Sequence, residues 1–155
     1  MIGGGKVGTR KALALLDAGA YVKVIAPHLS DELRDAAASG NRLHLEKREY
    51  IDADDITEFE LVFAATDSDD LNASIAADAI ELHKLVNVAS DGSAGNFTSM
   101  AIHRAGQLTI GVSAGGVPAA AARIRDEMAE RFDGRYAELI DTMSAERDTV
   151  MRSRS

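Results

Sequence analysis

Hydrophobic and polar positions along the chain fall into blocks whose period switches between that of a helix and that of a strand. Helix-forming stretches cover residues 11–18, 30–40 and 70–82, each bounded by a glycine, a serine or a run of aspartates that suits a helix end. Alternating or continuously apolar stretches, which predict strands, cover residues 21–27, 42–50, 61–65 and 85–90. A continuous run such as LVFAA is typical of a strand buried on both faces. This order predicts an α/β fold, a Rossmann-like doubly wound parallel sheet.

The pattern changes beyond residue 92. An apolar segment and a turn near residues 105–106 precede the predicted strand QLTIGVS. Pro118 then begins a long helix, at the first-turn position where its missing N–H costs nothing. A last amphipathic helix follows the break at residues 133–134. We therefore predict three segments: the Rossmann-like domain over 1–92, a small α/β region over 93–133 and a helical segment over 134–155.

The first ten residues, MIGGGKVGTR, contain the pattern G-x-G-x-x-G over residues 3–8. Such a turn holds a dinucleotide pyrophosphate against a helix N-terminus when a strand precedes it and a helix follows. The helix follows here, but only Met1 and Ile2 stand where the strand belongs. We predict a nucleotide-binding turn behind a shortened first strand, with a purely structural glycine turn as the alternative. Because a central strand buries much apolar surface, we expect the natural product to begin at least about eight residues upstream.

Composition removes several classes of function. A net charge of −8 and an aromatic content of 5% argue against coating nucleic acid. The absence of cysteine excludes disulfides and thiolate chemistry, and no two histidines stand at i, i+4, so we predict no metal ligands. No apolar run approaches the length of a membrane span and no signal peptide is visible, so we expect a cytoplasmic protein without a membrane partner.

The second predicted strand ends without the acidic residue that binds the adenosine ribose in most NAD domains. In its place stand Ala26, Pro27 and His28. Four stretches follow one another along the chain: GGGKVGTRKALALLDAGAYVKVIAP, FAATDSDDLN, VNVASDGSAGNF and GQLTIGVSAGGVPAAAARIRDEM. In these stretches, and in the missing acidic residue, the chain resembles the precorrin-2 dehydrogenase/sirohydrochlorin ferrochelatase family, the N-terminal module of siroheme synthase.

The resemblance implies a homodimer that binds NAD and oxidises precorrin-2, an octacarboxylate, to sirohydrochlorin; some members also insert Fe²⁺. It implies that region 93–133 serves dimerisation. The cofactor-binding residues that the glycine turn and the resemblance predict are Gly3, Gly5, Lys6, Val7, Gly8, Pro27, His28, Thr66, Asp67 and Asn72.

Asp91 is the predicted catalytic residue. It is the only carboxylate of the loop SDGSAGN, which follows a predicted buried strand at the edge where open α/β sheets bind ligands. The alternative is a structural Asx turn. The family places its single catalytic aspartate at the position of Ser90, one residue earlier, and a second hydroxyl at the position of Ala114. Two other functions stay open: a regulatory Rossmann module that binds NAD without catalysis, and an inactive dimeric scaffold.

Overall fold

The computed structural model describes residues 1–153, and the chain divides into two compact units, one of residues 1–98 and one from residue 99 onward. The last two residues of the predicted helical segment 134–155 lie outside the described residues. The predicted division into three segments, at residues 92 and 133, stays a prediction. None of the helices in residues 1–153 has the length and apolar character of a membrane span.

The first unit alternates helices and strands as the sequence pattern predicts. Its elements are α1 (Lys6–Asp17), β1 (Val22–Ile25), α2 (Asp31–Ser39), β2 (Leu43–Glu46), a short 3₁₀ helix (Ala53–Ile56), β3 (Leu61–Ala64), α3 (Asp69–Glu81) and β4 (Leu85–Val88). Local chemistry sets the helix ends: Ser30 Oγ accepts the Leu33 N–H (3.2 Å), and Gly19, with φ +90°, follows the end of α1.

A single residue joins the two halves of the sheet. β1 pairs with β2 and β3 pairs with β4, both in parallel. Ile2 forms parallel bridges to Ile25 of β1 and Ala64 of β3. Its N–H donates to Phe63 O (2.8 Å) and its carbonyl accepts from Ala65 N–H (2.8 Å). The strand order is therefore β2-β1-Ile2-β3-β4, and the predicted doubly wound parallel sheet is confirmed, with Ile2 in the place of a central strand.

The two faces of the sheet have separate cores because successive strand side chains point to opposite sides. On one face, α1 and α2 pack on β1 and β2 around the buried side chains of Val24 and Leu33. On the other face, α3 and the 3₁₀ helix pack around Ile75, Val62 and Val86. The carboxyl ends of the strands lie between these layers, and the loops that follow them form one edge.

A cluster of paired charges lies on the same face as Ile25. Arg48 donates two hydrogen bonds to the Asp55 carboxylate (2.8 and 2.5 Å) and one to Glu46 (2.8 Å), while Lys23 Nζ lies 2.9 Å from the other Glu46 oxygen. Arg48 lowers the pKa of Asp55, and Lys23, followed by Arg48, lowers that of Glu46. We call Lys23, Glu46, Arg48 and Asp55 the Arg48 cluster.

The second unit consists of a hairpin and two helices. β5 (Ala101–Ala105) and β6 (Leu108–Val112) pair antiparallel, followed by α4 (Pro118–Arg131) and α5 (Gly134–Ser153). The sequence indicated only an apolar segment where β5 forms, and its pairing with β6 makes it a strand. Among residues 99–152, Ala121 alone is buried.

Candidate functional site

Residues 3–8, the glycine turn and the first residues of α1, contain three glycines that the fold itself requires, Gly3, Gly4 and Gly8. Gly3 has φ +111°, and a Cβ there would lie 2.2 Å from the Ala65 carbonyl oxygen. A Cβ on Gly8 would lie 2.2 Å from the carbonyl oxygen of Gly3. None of the three positions has room for a side chain, because backbone cannot move away as a flexible side chain can. These glycines shape the turn and bring α1 close to the sheet.

Gly5 is different. It is exposed, its φ of −76° and ψ of −174° suit any residue, and a Cβ built on it meets nothing within 4 Å. Neither backbone conformation nor packing requires glycine at this position, and as the N-cap of α1 a serine, aspartate or asparagine would serve at least as well. In a G-x-G-x-x-G turn the second glycine leaves space for the pyrophosphate to approach the backbone. Because Gly5 has no side chain, the space beside its backbone is open to solvent. A bound dinucleotide could approach the backbone there, and a Cβ would block it.

The N-terminus of α1 also lacks what the other two helices of the first unit, α2 and α3, have. α2 and α3 receive side-chain caps from Ser30 and Ser68, and both have acidic first turns. α1 has no side-chain cap and no acidic residue in its first turn. Because the N–H groups of a first turn have no partner inside the helix, this end offers donors and a positive dipole to an anion. The residues Lys6 and Val7 of this turn are exposed.

Two loops border the glycine turn. A Cβ on Gly4 would lie 2.4 Å from the carbonyl oxygen of His28, so the loop of Pro27 and His28 packs against the turn. The same construction on Gly3 reaches the Thr66 nitrogen at 3.0 Å, which brings the loop after β3 to its other side. The structure thus places the predicted positions of residues 3–8, 27–28 and 66 around one edge.

Asn72, also a predicted cofactor residue, is buried with 1% exposure. Its Oδ1 accepts from the Thr66 N–H (3.1 Å) and hydroxyl (2.9 Å), and its Nδ2 donates to the Thr66 carbonyl (3.2 Å) and to Ser90 Oγ (3.4 Å). We call Thr66, Asn72 and Ser90 the amide clasp. Asp67 is exposed next to it. The clasp was not predicted from the sequence, in which its only signal is an asparagine six residues after the threonine, on the first turn of a helix.

Asp91 lies on the exposed loop after β4 and forms an Asx turn. Its Oδ1 accepts the N–H (2.8 Å) and the hydroxyl (2.6 Å) of Ser93, and these bonds lower the pKa of the Asp91 carboxyl. The group is a carboxylate at neutral pH, able to accept a proton although a weak base. Asp91 therefore forms the structural Asx turn and also has a carboxylate that can accept a proton. Its catalytic role stays a prediction.

Metal-ligating side chains do not gather in the described part of the chain: no three of His, Asp and Glu lie close enough to hold an ion. Thr9 and Ser30 form a further contact that the sequence pattern does not predict. Their hydroxyls are 2.9 Å apart and tie the first turn of α1 to the N-cap of α2. This bond holds the β1 loop beside the glycine turn.

Known proteins resemble the chain over nearly its whole length. A siroheme synthase from Chromobacterium violaceum is 40% identical over 97% of this chain and 32% of that protein. One from Saccharophagus degradans is 35% identical over 93% of this chain and 31% of that protein. The chain thus spans about a third of the length of these relatives, and the resemblance stated from its motifs is confirmed.

A solved structure of SirC, precorrin-2 dehydrogenase, superposes with a TM-score of 0.82 and 27% identity, covering 97% of this chain and 74% of that one. A protein-family model described as "Putative NAD(P)-binding" matches residues 1–101. That range contains the glycine turn, the amide clasp and the Asp91 loop. NAD is the cofactor that these comparisons support, and the chain belongs to this NAD(P)-binding family.

Proposed function

We propose that this chain catalyses the NAD⁺-dependent oxidation of precorrin-2 to sirohydrochlorin. The observation that carries the proposal is Gly5, whose missing Cβ the fold does not require and a bound pyrophosphate does. The uncapped N-terminus of α1 beside it supports the same assignment. The substrate comes from the relatives: siroheme synthases match most of the chain, and the superposed structure is a precorrin-2 dehydrogenase.

Bound NAD⁺ would supply the hydride acceptor. The chain's own part would be to hold it: the N–H groups of the first turn of α1 would bind the pyrophosphate, beside the loops that contain Pro27, His28 and Thr66. The missing acidic residue after β1 leaves the adenosine ribose to these loop residues. Lys6, Val7 and Asp67, all exposed beside the turn, complete the proposed cofactor site.

Oxidation of the macrocycle also releases a proton. We assign its acceptor to the loop after β4, with Asp91 as the base. Its carboxylate is ionised at neutral pH and its second oxygen, Oδ2, is not used by the Ser93 bonds. Ser90, at the position where the family has an aspartate, is instead joined to Asn72 and so shapes the start of the loop.

A homodimer is part of the proposal. In the second unit a two-stranded hairpin and two helices bury little apolar surface, and a two-stranded sheet is at best marginally stable alone. Large apolar side chains remain more than half exposed there: Met100, Val117, Leu139, Met143 and Met151. A second copy would cover such a surface. Sedimentation of the purified protein tests this, and a monomer at micromolar concentration would contradict it.

The decisive experiment mixes purified protein with precorrin-2 and NAD⁺ and follows the absorption spectrum. We expect the sirohydrochlorin spectrum to appear together with NADH. Binding of NAD⁺ without turnover would favour the regulatory module instead, and absence of both would favour a scaffold. A cytoplasmic location stays a prediction.

A further inference from the structure

The amide clasp uses the whole hydrogen-bonding capacity of one buried side chain. An asparagine amide offers two donor hydrogens and one oxygen that accepts twice. The Asn72 Nδ2 donates to Thr66 and to Ser90. Its Oδ1 accepts from the Thr66 N–H and from the Thr66 hydroxyl, which is closer to Asn72 (2.9 Å) than to the Ser68 carbonyl (3.1 Å). Nothing in this amide is left for a ligand. All of its hydrogen bonds are therefore made to other residues of the chain.

The two partners of Asn72 belong to the two loops on which the proposed reaction depends. Thr66 follows β3 and borders the glycine turn, because its nitrogen is 3.0 Å from the Cβ position of Gly3. Ser90 follows β4 and directly precedes Asp91. Asn72 itself stands on the first turn of α3, where its N–H donates to the Ser68 carbonyl (2.9 Å) as part of the helix.

We propose that Asn72 is a positioning residue. It holds the loop after β3, which contains Thr66, and the loop after β4, which contains Ser90 and Asp91, at a fixed distance from each other. This rests on the proposed function. Asn72 is buried and its side-chain hydrogen bonds go to Thr66 and Ser90. It acts through Thr66 on the cofactor site and through Ser90 on the proton-accepting loop, so its loss affects both cofactor binding and turnover.

A second buried asparagine provides a matched control. Asn87, in the middle of β4, is 5% exposed and donates to the Phe97 carbonyl (3.1 Å). It tethers the segment that follows the loop after β4 to the sheet and has no hydrogen bond to Thr66 or Ser90. Replacing either asparagine removes a buried amide, but only Asn72 joins the two loops.

The kinetic test compares Asn72→Ala, Ser90→Ala, the double variant and Asn87→Ala, all well below their melting temperatures. We expect Asn72→Ala to lower kcat about tenfold and to raise the KM for NAD⁺ several-fold, and Ser90→Ala to change kcat alone. In the double variant the effect of Ser90→Ala should disappear, since coupled residues are not additive. Asn87→Ala should lower the melting temperature without this kinetic pattern. Additive effects, or the same kinetic losses in Asn87→Ala, would overturn the proposal.

Amide hydrogen exchange supplies a readout that does not need turnover. Asn72→Ala should increase exchange in residues 66–68 and 90–94 together, whereas Asn87→Ala should leave residues 66–68 unchanged. Loss of protection at one loop only would refute the coupling even if the wild type oxidises precorrin-2. A wild type without turnover refutes the proposed function, while the exchange result still decides whether Asn72 joins the loops. If Asn72→Ala does not fold, Asn72→Ser, which keeps one hydroxyl at the buried site, replaces it with the same expectations.

Discussion

The Arg48 cluster and the edge around Gly5 are both polar regions of the first unit. They differ in whether their polar groups are paired with other groups of the chain. In the Arg48 cluster each charge meets an opposite charge of the same chain within about hydrogen-bond distance. Around Gly5 the first-turn N–H groups of α1 have neither a side-chain cap nor an acidic neighbour. Groups paired inside the chain contribute to folding, whereas groups left open are available to a ligand. Substitutions in the two regions should therefore have separable effects.

The largest effect is expected at Gly5. In Gly5→Val a branched side chain occupies the surface beside the α1 N-terminus, and we expect the affinity for NAD⁺ to fall more than about a hundredfold, or about 2.7 kcal/mol. The melting temperature should fall by no more than a few degrees, because a Cβ there meets nothing within 4 Å and only the N-cap preference for glycine over valine is lost. Isothermal titration with NAD⁺ measures the first quantity and calorimetry the second.

Gly40→Ala is the matched control, because a Cβ on Gly40 makes only an ordinary contact, 3.9 Å from Ala36 O, far along the chain from the turn. It should bind NAD⁺ like the wild type. Undiminished NAD⁺ affinity in Gly5→Val would end the cofactor assignment.

Asp91→Asn should lower turnover about 10²-fold or more, because the amide cannot accept the proton. NAD⁺ affinity should be preserved, since Asp91 is not one of the residues proposed to bind it. Ser90→Ala should have a much smaller effect on turnover. Steady-state kinetics at saturating NAD⁺ measure both, and a larger loss in Ser90→Ala than in Asp91→Asn would move the catalytic position one residue earlier.

In a polypeptide that begins at Met1, the α-amino group is buried and has no opposite charge beside it among the described residues. Its titration therefore tests how burial of an unpaired ionisable group affects stability. Burial, with the nearby Lys23 charge, lowers its pKa to about 5, from about 8 in an unfolded chain. Between these values the unfolded state binds more protons, so stability rises from pH 5 to pH 8, by up to about 1.4 kcal/mol per pH unit. Urea unfolding across this range measures the slope.

A polypeptide with an apolar extension before Met1 has a neutral amide at that position. It should lose this pH dependence, melt at a higher temperature and bind NAD⁺ more tightly, because the added residues can pair with β1 and β3. An unextended chain whose stability is flat from pH 5 to pH 8, and which gains nothing from the extension, would contradict both expectations.

The smallest effect is expected in the Arg48 cluster. Arg48→Met leaves Asp55 without its bidentate partner, so the melting temperature should fall by a few degrees while NAD⁺ affinity stays unchanged. The lowered pKa of Asp55 means that its stabilisation is present above its unfolded pKa and is lost as pH falls through the lower folded value. Acid unfolding should therefore begin at a higher pH in Arg48→Met. Arg34→Met, which removes only an exposed pair with Asp31, is the control and should melt like the wild type.

Local sequence was sufficient where local chemistry determines the structure. Ser30 ahead of a helix, Gly19 after one and Pro118 at the start of another predicted helix ends that the structure contains. The continuous apolar runs predicted buried parallel strands, and β3 and β4 are such strands. The pairing of β5 with β6 was missed because no local period separates that apolar segment from a loop.

The candidate site divides in the same way. The sequence by itself determined the glycine turn, the helix behind it and the absence of an acidic residue after β1, since each is a matter of residue type at a fixed spacing. Only the tertiary structure decided that Gly3 and Gly8 serve the fold while Gly5 faces open space, because that distinction depends on backbone from β3 and from the turn itself. It also decided that Asn72 binds Thr66 and Ser90: a side chain's partners across two loops follow from how parallel strands bring their ends together, which no short stretch of sequence contains.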